Sequence, residues 1–93
     1  MRTIKRTGAF KRDYKREKKG RHRKTLDTDL SKTLALLIAD QPLPERYHDH
    51  SLVGEWKDHR NCHIKPDLIL IYRKMQDDAL DLVRIGSHSE LGL

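Results

Sequence analysis

The stretch Leu68-Ile69-Leu70-Ile71-Tyr72 indicates how this chain folds. A continuous run of aliphatic, β-branched and aromatic residues is typical of a central strand that is covered on both faces. Turn signals bound the run on both sides, at Pro66-Asp67 before it and at residues 76–78 (Gln-Asp-Asp) after it. We therefore predict a buried strand over residues 68–72 and expect the rest of the fold to be arranged around it.

Other strand-like segments flank this run in the sequence. Residues 55–60 and 62–65 precede it, and a final strand follows over residues 80–86. Residues 2–5 add a short edge strand. Because short turns join the successive segments of the second half, we expect an antiparallel sheet.

Two helices are predicted before the sheet. The first covers residues 7–19, with Thr7 as its N-cap and Gly20 at its end. The second helix ends before Pro42 and carries leucines at i, i+4, i+8 and i+11, the spacing of one helix face: Leu26, Leu30, Leu34 and Leu37. The sequence thus predicts an α+β fold, with two N-terminal helices packed on a small antiparallel β-sheet in a single domain of residues 1–93.

The composition restricts the possible environments of this domain. Charged residues make up 37% of the 93 residues, and no apolar run approaches the roughly 20 residues of a membrane span. No secretory signal is visible, and Cys62 is the only cysteine, so we expect a cytoplasmic protein without an intrachain disulfide. Cys62 and His63 with other histidines form a weak zinc candidate, because the chain lacks Cys-x-x-Cys and His-Glu-x-x-His spacing.

Positive charge is concentrated in the first quarter of the chain. Residues 1–25 hold 12 lysines and arginines against two carboxylates, whereas the remaining residues carry a net negative charge. This asymmetry favours a nucleic-acid or ribosome-binding surface over a merely solvated helix face or a membrane surface. The candidate RNA-binding residues are Lys11, Arg12, Lys15, Arg16, Lys18, Lys19, Arg21, Arg23 and Lys24.

The second half of the chain contains the candidates for catalysis: His50, His63, Asp67, Arg84 and His88. Histidine can both accept and donate protons near neutral pH. Together with a carboxylate and an arginine, it provides the groups for metal-free cleavage of an RNA phosphodiester, in which the 2′-hydroxyl is the nucleophile. One histidine or Asp67 could act as base and another histidine as acid, while Arg84 would hold the phosphate oxygens. This chemistry needs no cofactor.

Several of these residues also have a purely structural interpretation. Arg84 could be a salt-bridge partner of Asp67 or Glu90 on the sheet, and Asp67 could be only a turn residue. The remaining histidines are assigned to the solvated surface: His22, His48 and His59.

Three segments resemble the YafQ-type toxins of the RelE/ParE superfamily. Residues 47–57 (YHDHSLVGEWK) resemble the family pattern DH-L-G-WK. Residues 60–72 (RNCHIKPDLILIY) resemble R-x-x-H-x-x-P-D-W-I-L-I-Y, and residues 84–91 (RIGSHSEL) resemble R-x-G-x-H-x-x-L. The sequence departs from these patterns at Leu68, where relatives commonly carry tryptophan, and in its Leu91-Gly92-Leu93 terminus, where relatives often have a phenylalanine.

The resemblance implies a bacterial type II toxin that cleaves mRNA in the ribosomal A site and is neutralised by a cognate antitoxin. It implies that His50, His63, Asp67 and His88 are the acid–base residues and that Arg84 stabilises the phosphate. Operator DNA would be bound only by the toxin–antitoxin complex. A ParE-like toxin that is not a nuclease and a plain RNA-binding module are the alternatives, and the histidine set argues against the ParE-like class.

Overall fold

A computed structural model describes all 93 residues and shows an α+β architecture, as predicted. Three helices surround a five-stranded sheet. The elements are, in chain order, β1 (Thr3–Arg6), α1 (Gly8–Glu17), α2 (Leu26–Ile38), β2 (His50–Ser51), β3 (Arg60–Lys65), β4 (Leu68–Lys74), β5 (Ala79–Gly86) and α3 (His88–Leu91). None of the helices has the length and apolar character needed to cross a membrane.

The sheet is mixed and has the strand order β1-β5-β4-β3-β2. Strands β2 to β5 are antiparallel, as predicted, but β1 runs parallel to β5. The prediction of a purely antiparallel sheet was therefore wrong at this edge. Its physical reason is the connection. The two helices carry the chain from β1 to β2 at the opposite edge of the sheet, and β2 to β5 then return to β1, so no short turn joins β1 to β5 and forces the pair to be antiparallel.

β4 is the centre of the sheet, which confirms the interpretation of the apolar run. Its residues 68–72 are all at most 1% exposed. Alternate side chains enter two clusters: Leu68, Leu70 and Tyr72 join the core beneath the helices, while Ile69 and Ile71 join a smaller cluster on the opposite face. The predicted leucine stripe of α2 is also confirmed, since its first, second and fourth leucines are buried in the larger core and Leu34 packs against it.

The strand predicted at residues 55–60 is absent, and this prediction was wrong. Gly54–Trp56 forms a short 3₁₀ helix, and β3 begins only at Arg60. Gly54 and Asp58 have positive φ angles of 69° and 70°, so the backbone turns twice where a strand would have to stay extended. The preceding loop forms the two-residue strand β2, which pairs with β3.

α1 covers the edge of β5 where β1 no longer pairs with it. β1 pairs only with residues 79–82. Beyond them, the Thr7 hydroxyl caps α1 by accepting from the Phe10 N–H and donates to the Val83 carbonyl. The Ile85 N–H donates to Asp13, and Arg16 donates to the Ile85 carbonyl. Side chains of α1 therefore satisfy backbone groups that would otherwise form an open sheet edge.

Candidate active site

The hairpin between β3 and β4 places two of the predicted residues at one end of the sheet. Lys65 pairs with Leu68, so Pro66-Asp67 forms a two-residue turn. His63 lies directly opposite Ile69, and residues opposite each other in a sheet share a face. His63 therefore lies on the face opposite α2, next to the turn that carries Asp67.

Asp67 holds His88 at the start of α3. One carboxylate oxygen, Oδ1, accepts from the His88 backbone N–H at 3.0 Å and lies 2.7 Å from the ring Nδ1. The hydrogen bonds from His88 keep the pKa of Asp67 below its usual range, so the carboxylate is ionised at neutral pH. Because Nδ1 is engaged by Asp67, Nε2 is the ring nitrogen left for chemistry, as in sites where a carboxylate orients a catalytic histidine.

The short helix α3 has a well-capped N-terminus. The Ser87 side chain caps it by accepting from the Glu90 N–H, and the Glu90 carboxylate accepts from the Ser87 N–H. This reciprocal capping box satisfies free N–H groups of the first turn. Glu90 also pairs with Arg16 of α1 at 2.9 Å, and Leu91 is buried in the smaller core cluster. These contacts fix the position of His88.

His63 lies between two other imidazoles. Its ring centroid is 5.2 Å from that of His88 and 5.4 Å from that of His48, both in edge-on geometry. Burial lowers the pKa of His63, and the neighbouring histidines His88, His48 and His50 lower it further because a second positive charge is unfavourable beside them. His63 is therefore predominantly neutral at pH 7 and able to accept a proton.

His50 faces the same side through a contact with His48. The His50 Nδ1 lies 2.7 Å from the His48 carbonyl oxygen, and His48 has a left-handed backbone with φ 48°. Both rings, together with His63, line a groove of about 700 Å³ that Arg46 and Lys65 border. His48 is exposed, as expected for a surface residue, but its ring belongs to this cluster. No sequence pattern indicates this contact, because it depends on the left-handed backbone of His48 at the end of the 3₁₀ helix Glu45–Tyr47.

The other two histidines assigned to the surface lie elsewhere. The His22 ring accepts a hydrogen bond from Arg21, and the His59 ring packs edge-on against Trp56. Cys62 is fully buried in the core beneath the helices, on the face opposite to that of His63, so the two side chains cannot share a metal.

Arg84 is the one predicted catalytic residue whose functional group is not brought to the histidines. It pairs with Ile71, which places it on the same sheet face as His63 but two strands away. Its guanidinium donates to Asp13 through Nε at 2.5 Å and through Nη2 at 3.1 Å. Burial opposes ionisation of Asp13, but hydrogen bonds from Arg84, Ile85 and Arg16 outweigh it, and the pKa of Asp13 lies below its usual value. The role of Arg84 toward phosphate stays a prediction.

All nine basic residues predicted to bind RNA are exposed. Three of them have carboxylate partners: Arg16 pairs with Asp13, Glu17 and Glu90, Lys18 with Asp27, and Arg21 with Asp67. The others have no ion-pair partner and form the free basic surface of α1 and the α1–α2 connector: Lys11, Arg12, Lys15, Lys19, Arg23 and Lys24.

Comparison with known proteins agrees with this fold. A family model described as "Bacterial toxin of type II toxin-antitoxin system, YafQ" matches residues 2–92. A relative from Haemophilus influenzae is 51% identical over 60 residues, which cover 61% of this chain and 59% of that protein. The mRNA interferase toxin YafQ of Escherichia coli K12 is 40% identical over 93 residues, covering 98% of this chain and 96% of the relative.

Among solved structures, a chain of the E. coli DinJ–YafQ complex superposes with a TM-score of 0.82 at 38% identity, with 98% of each chain covered. The family match extends over nearly the whole sequence, including the basic α1, which lies outside the three segments that resemble the family. The chain therefore belongs to the YafQ family of bacterial toxins of type II toxin–antitoxin systems.

Proposed function

We propose that this chain is an endoribonuclease toxin that cleaves mRNA in the A site of the ribosome by metal-free acid–base catalysis. The observation that supports this most directly is the contact series in which His63 lies against His88 and His88 is held by Asp67. It supplies a neutral imidazole, a second imidazole with a fixed orientation and an ionised carboxylate within one small region. The similarity to an mRNA interferase toxin points to the same substrate.

The reaction transfers the phosphoryl group within the RNA. The 2′-oxygen forms a bond to phosphorus, the bond from phosphorus to the 5′-oxygen breaks, and the products are a 2′,3′-cyclic phosphate and a 5′-hydroxyl. The 2′-hydroxyl proton must go to a base, and an acid must supply a proton to the departing 5′-oxygen. Each positioned proton transfer typically contributes about 10²–10⁴-fold to the rate.

His63 is the proposed base and His88 the proposed acid. The lowered pKa of His63 leaves its ring free to take the 2′-hydroxyl proton. Asp67 aligns His88 through Nδ1, so that Nε2 faces the substrate, and it lies beside the ring to balance the positive charge of the protonated form. His50, which lines the groove together with His63, is proposed to contact the phosphate.

The free basic surface of α1 and the connector is proposed to contact ribosomal RNA. Six unpaired cations on one segment attract the phosphate backbone without reading its sequence, and such binding weakens as salt concentration rises. The ribosome would then place mRNA at the histidine cluster. With ribosomal RNA bound by the basic surface and mRNA positioned by the ribosome, a domain of 93 residues needs no extensive mRNA-binding surface of its own.

The proposed partner that controls the toxin is a cognate antitoxin. The solved structures similar to this chain include an E. coli DinJ–YafQ toxin–antitoxin complex. We expect the antitoxin of this chain to be acidic or amphipathic, to act in the cytoplasm with the toxin, and to provide most operator DNA contacts of the complex.

The test is to induce the chain without antitoxin and to map mRNA ends in translating cells and in reconstituted translation. We expect cuts in ribosome-bound mRNA that leave a cyclic phosphate and a 5′-hydroxyl. His88→Ala and Asp67→Asn should abolish cutting and growth arrest, whereas the matched control His59→Ala should retain both. Full toxicity of both site variants would contradict the proposal. Damaged DNA with intact mRNA would indicate a ParE-like toxin, and tight RNA binding without cuts would indicate a binding module.

A further inference from the structure

We infer that Arg21, in the connector between α1 and α2, is a further catalytic residue that binds the scissile phosphate. This inference rests on the proposed function. The Arg21 Nη2 lies 3.3 Å from the Asp67 Oδ2, although the two residues are 46 positions apart in the sequence. The other oxygen of the same carboxylate binds His88. The fold thus brings a guanidinium from the basic connector to the carboxylate that orients the proposed acid.

The chemistry of the site requires a cation at this position. Asp67 is ionised, and the scissile phosphate must come close to His88 if that ring is to protonate the departing oxygen. A carboxylate and a phosphodiester are both negatively charged and repel each other at such short range. A guanidinium between them removes this repulsion, since its planar fork can donate to both groups at once.

Arg21 is free to make this contact. Its side chain is 69% exposed, and its only ion pair is with a carboxylate that is itself 45% exposed. Exposed pairs of this kind contribute little to stability, so they can be rearranged when a ligand arrives. Its Nε donates to the His22 ring and Nη2 donates to Asp67, which leaves three of the five guanidinium N–H groups for a phosphate.

Arg84 is placed very differently. Its side chain is 27% exposed, and two of its N–H groups are directed at Asp13, whose side chain is 5% exposed. A guanidinium held in this way cannot move to the phosphate beside His88 without breaking both of its hydrogen bonds to the buried Asp13 carboxylate. The geometry therefore favours Arg21 as the mobile phosphate ligand at the His88 side of the site.

The experiment compares Arg21→Ala with Arg23→Ala, a matched control. Arg23 lies in the same exposed connector and has no ion-pair partner, so both variants remove one positive charge from the same segment. Single-turnover cleavage of mRNA on stalled ribosomes is measured over a range of toxin concentrations. Loss of one preorganised donor to the transition state typically reduces a rate constant by about 10²–10³-fold, and because Arg21 is mobile we expect the lower end, a reduction of about 100-fold for Arg21→Ala at saturating toxin. Arg23→Ala should change only the concentration needed for saturation.

Arg21→Lys should restore part of the rate, because an ammonium retains the charge but lacks the fork. All three variants should melt at the wild-type temperature, since neither arginine is buried. Equal effects of Arg21→Ala and Arg23→Ala, or a loss confined to the half-saturating concentration, would overturn the inference while wild-type cleavage upholds the proposed function. Absence of cleavage by the wild type itself would overturn both.

Discussion

Substituting Asp13 with alanine should strongly destabilise the fold. The Asp13 side chain is 5% exposed and accepts hydrogen bonds from Arg84, from Arg16 and from the Ile85 N–H. It is the group through which α1, β5 and the Arg84 side chain are joined. Alanine removes every one of these acceptors and leaves the Arg84 guanidinium and the Ile85 N–H without a protein partner, while Arg16 keeps Glu17, Glu90 and the Ile85 carbonyl.

The size of the effect follows from the exposure of the groups left behind. Breaking a buried ion pair costs roughly 3–5 kcal/mol. Arg84 and Arg16 are 27% and 40% exposed and regain part of their hydration, which places the ionic loss near the lower end of that range. The Ile85 N–H is buried, and an unsatisfied buried donor costs roughly 1–3 kcal/mol. Because these contributions overlap, we expect a total of about 3–5 kcal/mol.

The assay is unfolding of Asp13→Ala by urea and by heat, with His88→Ala present in every protein so that the chains can be produced without toxicity. The control is Glu55→Ala, which removes an exposed carboxylate that has no ion-pair partner. Since 1 kcal/mol shifts the melting temperature of a domain of this size by roughly 4–8 °C, a decrease of at least about 12 °C is expected. A loss of less than about 1 kcal/mol, similar to ordinary surface changes, would refute the role given to Asp13.

The pH dependence of the free energy of unfolding gives an independent check of the interactions between Asp13 and its two arginine partners. The pKa of Asp13 is lowered in the folded state, so its contribution is fully present above the unfolded value of about 3.9 and is lost as pH falls through the folded value. The stability difference between parent and variant should therefore be constant near neutral pH and should shrink in acid.

Two further predictions concern the site and the core. His48→Asn removes a like charge beside His63 and should raise the pKa of His63, so the acid limb of the pH–rate profile for cleavage should move to higher pH. The control His59→Asn should leave this limb unchanged. An unchanged limb in His48→Asn would contradict the coupling between His48 and His63. Burial raises the pKa of Cys62 to about 12, so iodoacetamide should label this thiol very slowly in the native protein and completely in denaturant. Rapid labelling of the native protein would show that the core is open at this position.

Patterns that repeat along the chain predicted the framework of this protein. The run over residues 68–72 marked the central strand because such a strand is apolar on both faces, and the leucine spacing of α2 marked a helix with one buried face. The direction of β1 and the break at residues 54–58 were missed. Both depend on interactions that leave no periodic pattern, namely a crossover through two helices and two residues with positive φ.

The candidate site was predictable in composition but not in arrangement. Motif resemblance selected His63, Asp67 and His88, which the fold does bring together. The sequence could not show that His48 would join them, nor that Arg84 would turn to Asp13, 71 positions away. Contacts across such separations are determined by tertiary packing, and no local spacing encodes them. The catalytic roles of all these residues remain predictions.

The way in which α1 closes the sheet has a consequence for where the toxin would cut. One side of this helix carries unpaired cations, and the other is fastened to β5 through Thr7, Asp13 and Arg16. In a toxin that works as proposed, the span between its anchorage on the ribosome and its cleaving groups is set by these short contacts. This span is then rigid, and the nucleotide at which an mRNA is cut depends on the dimensions of the protein.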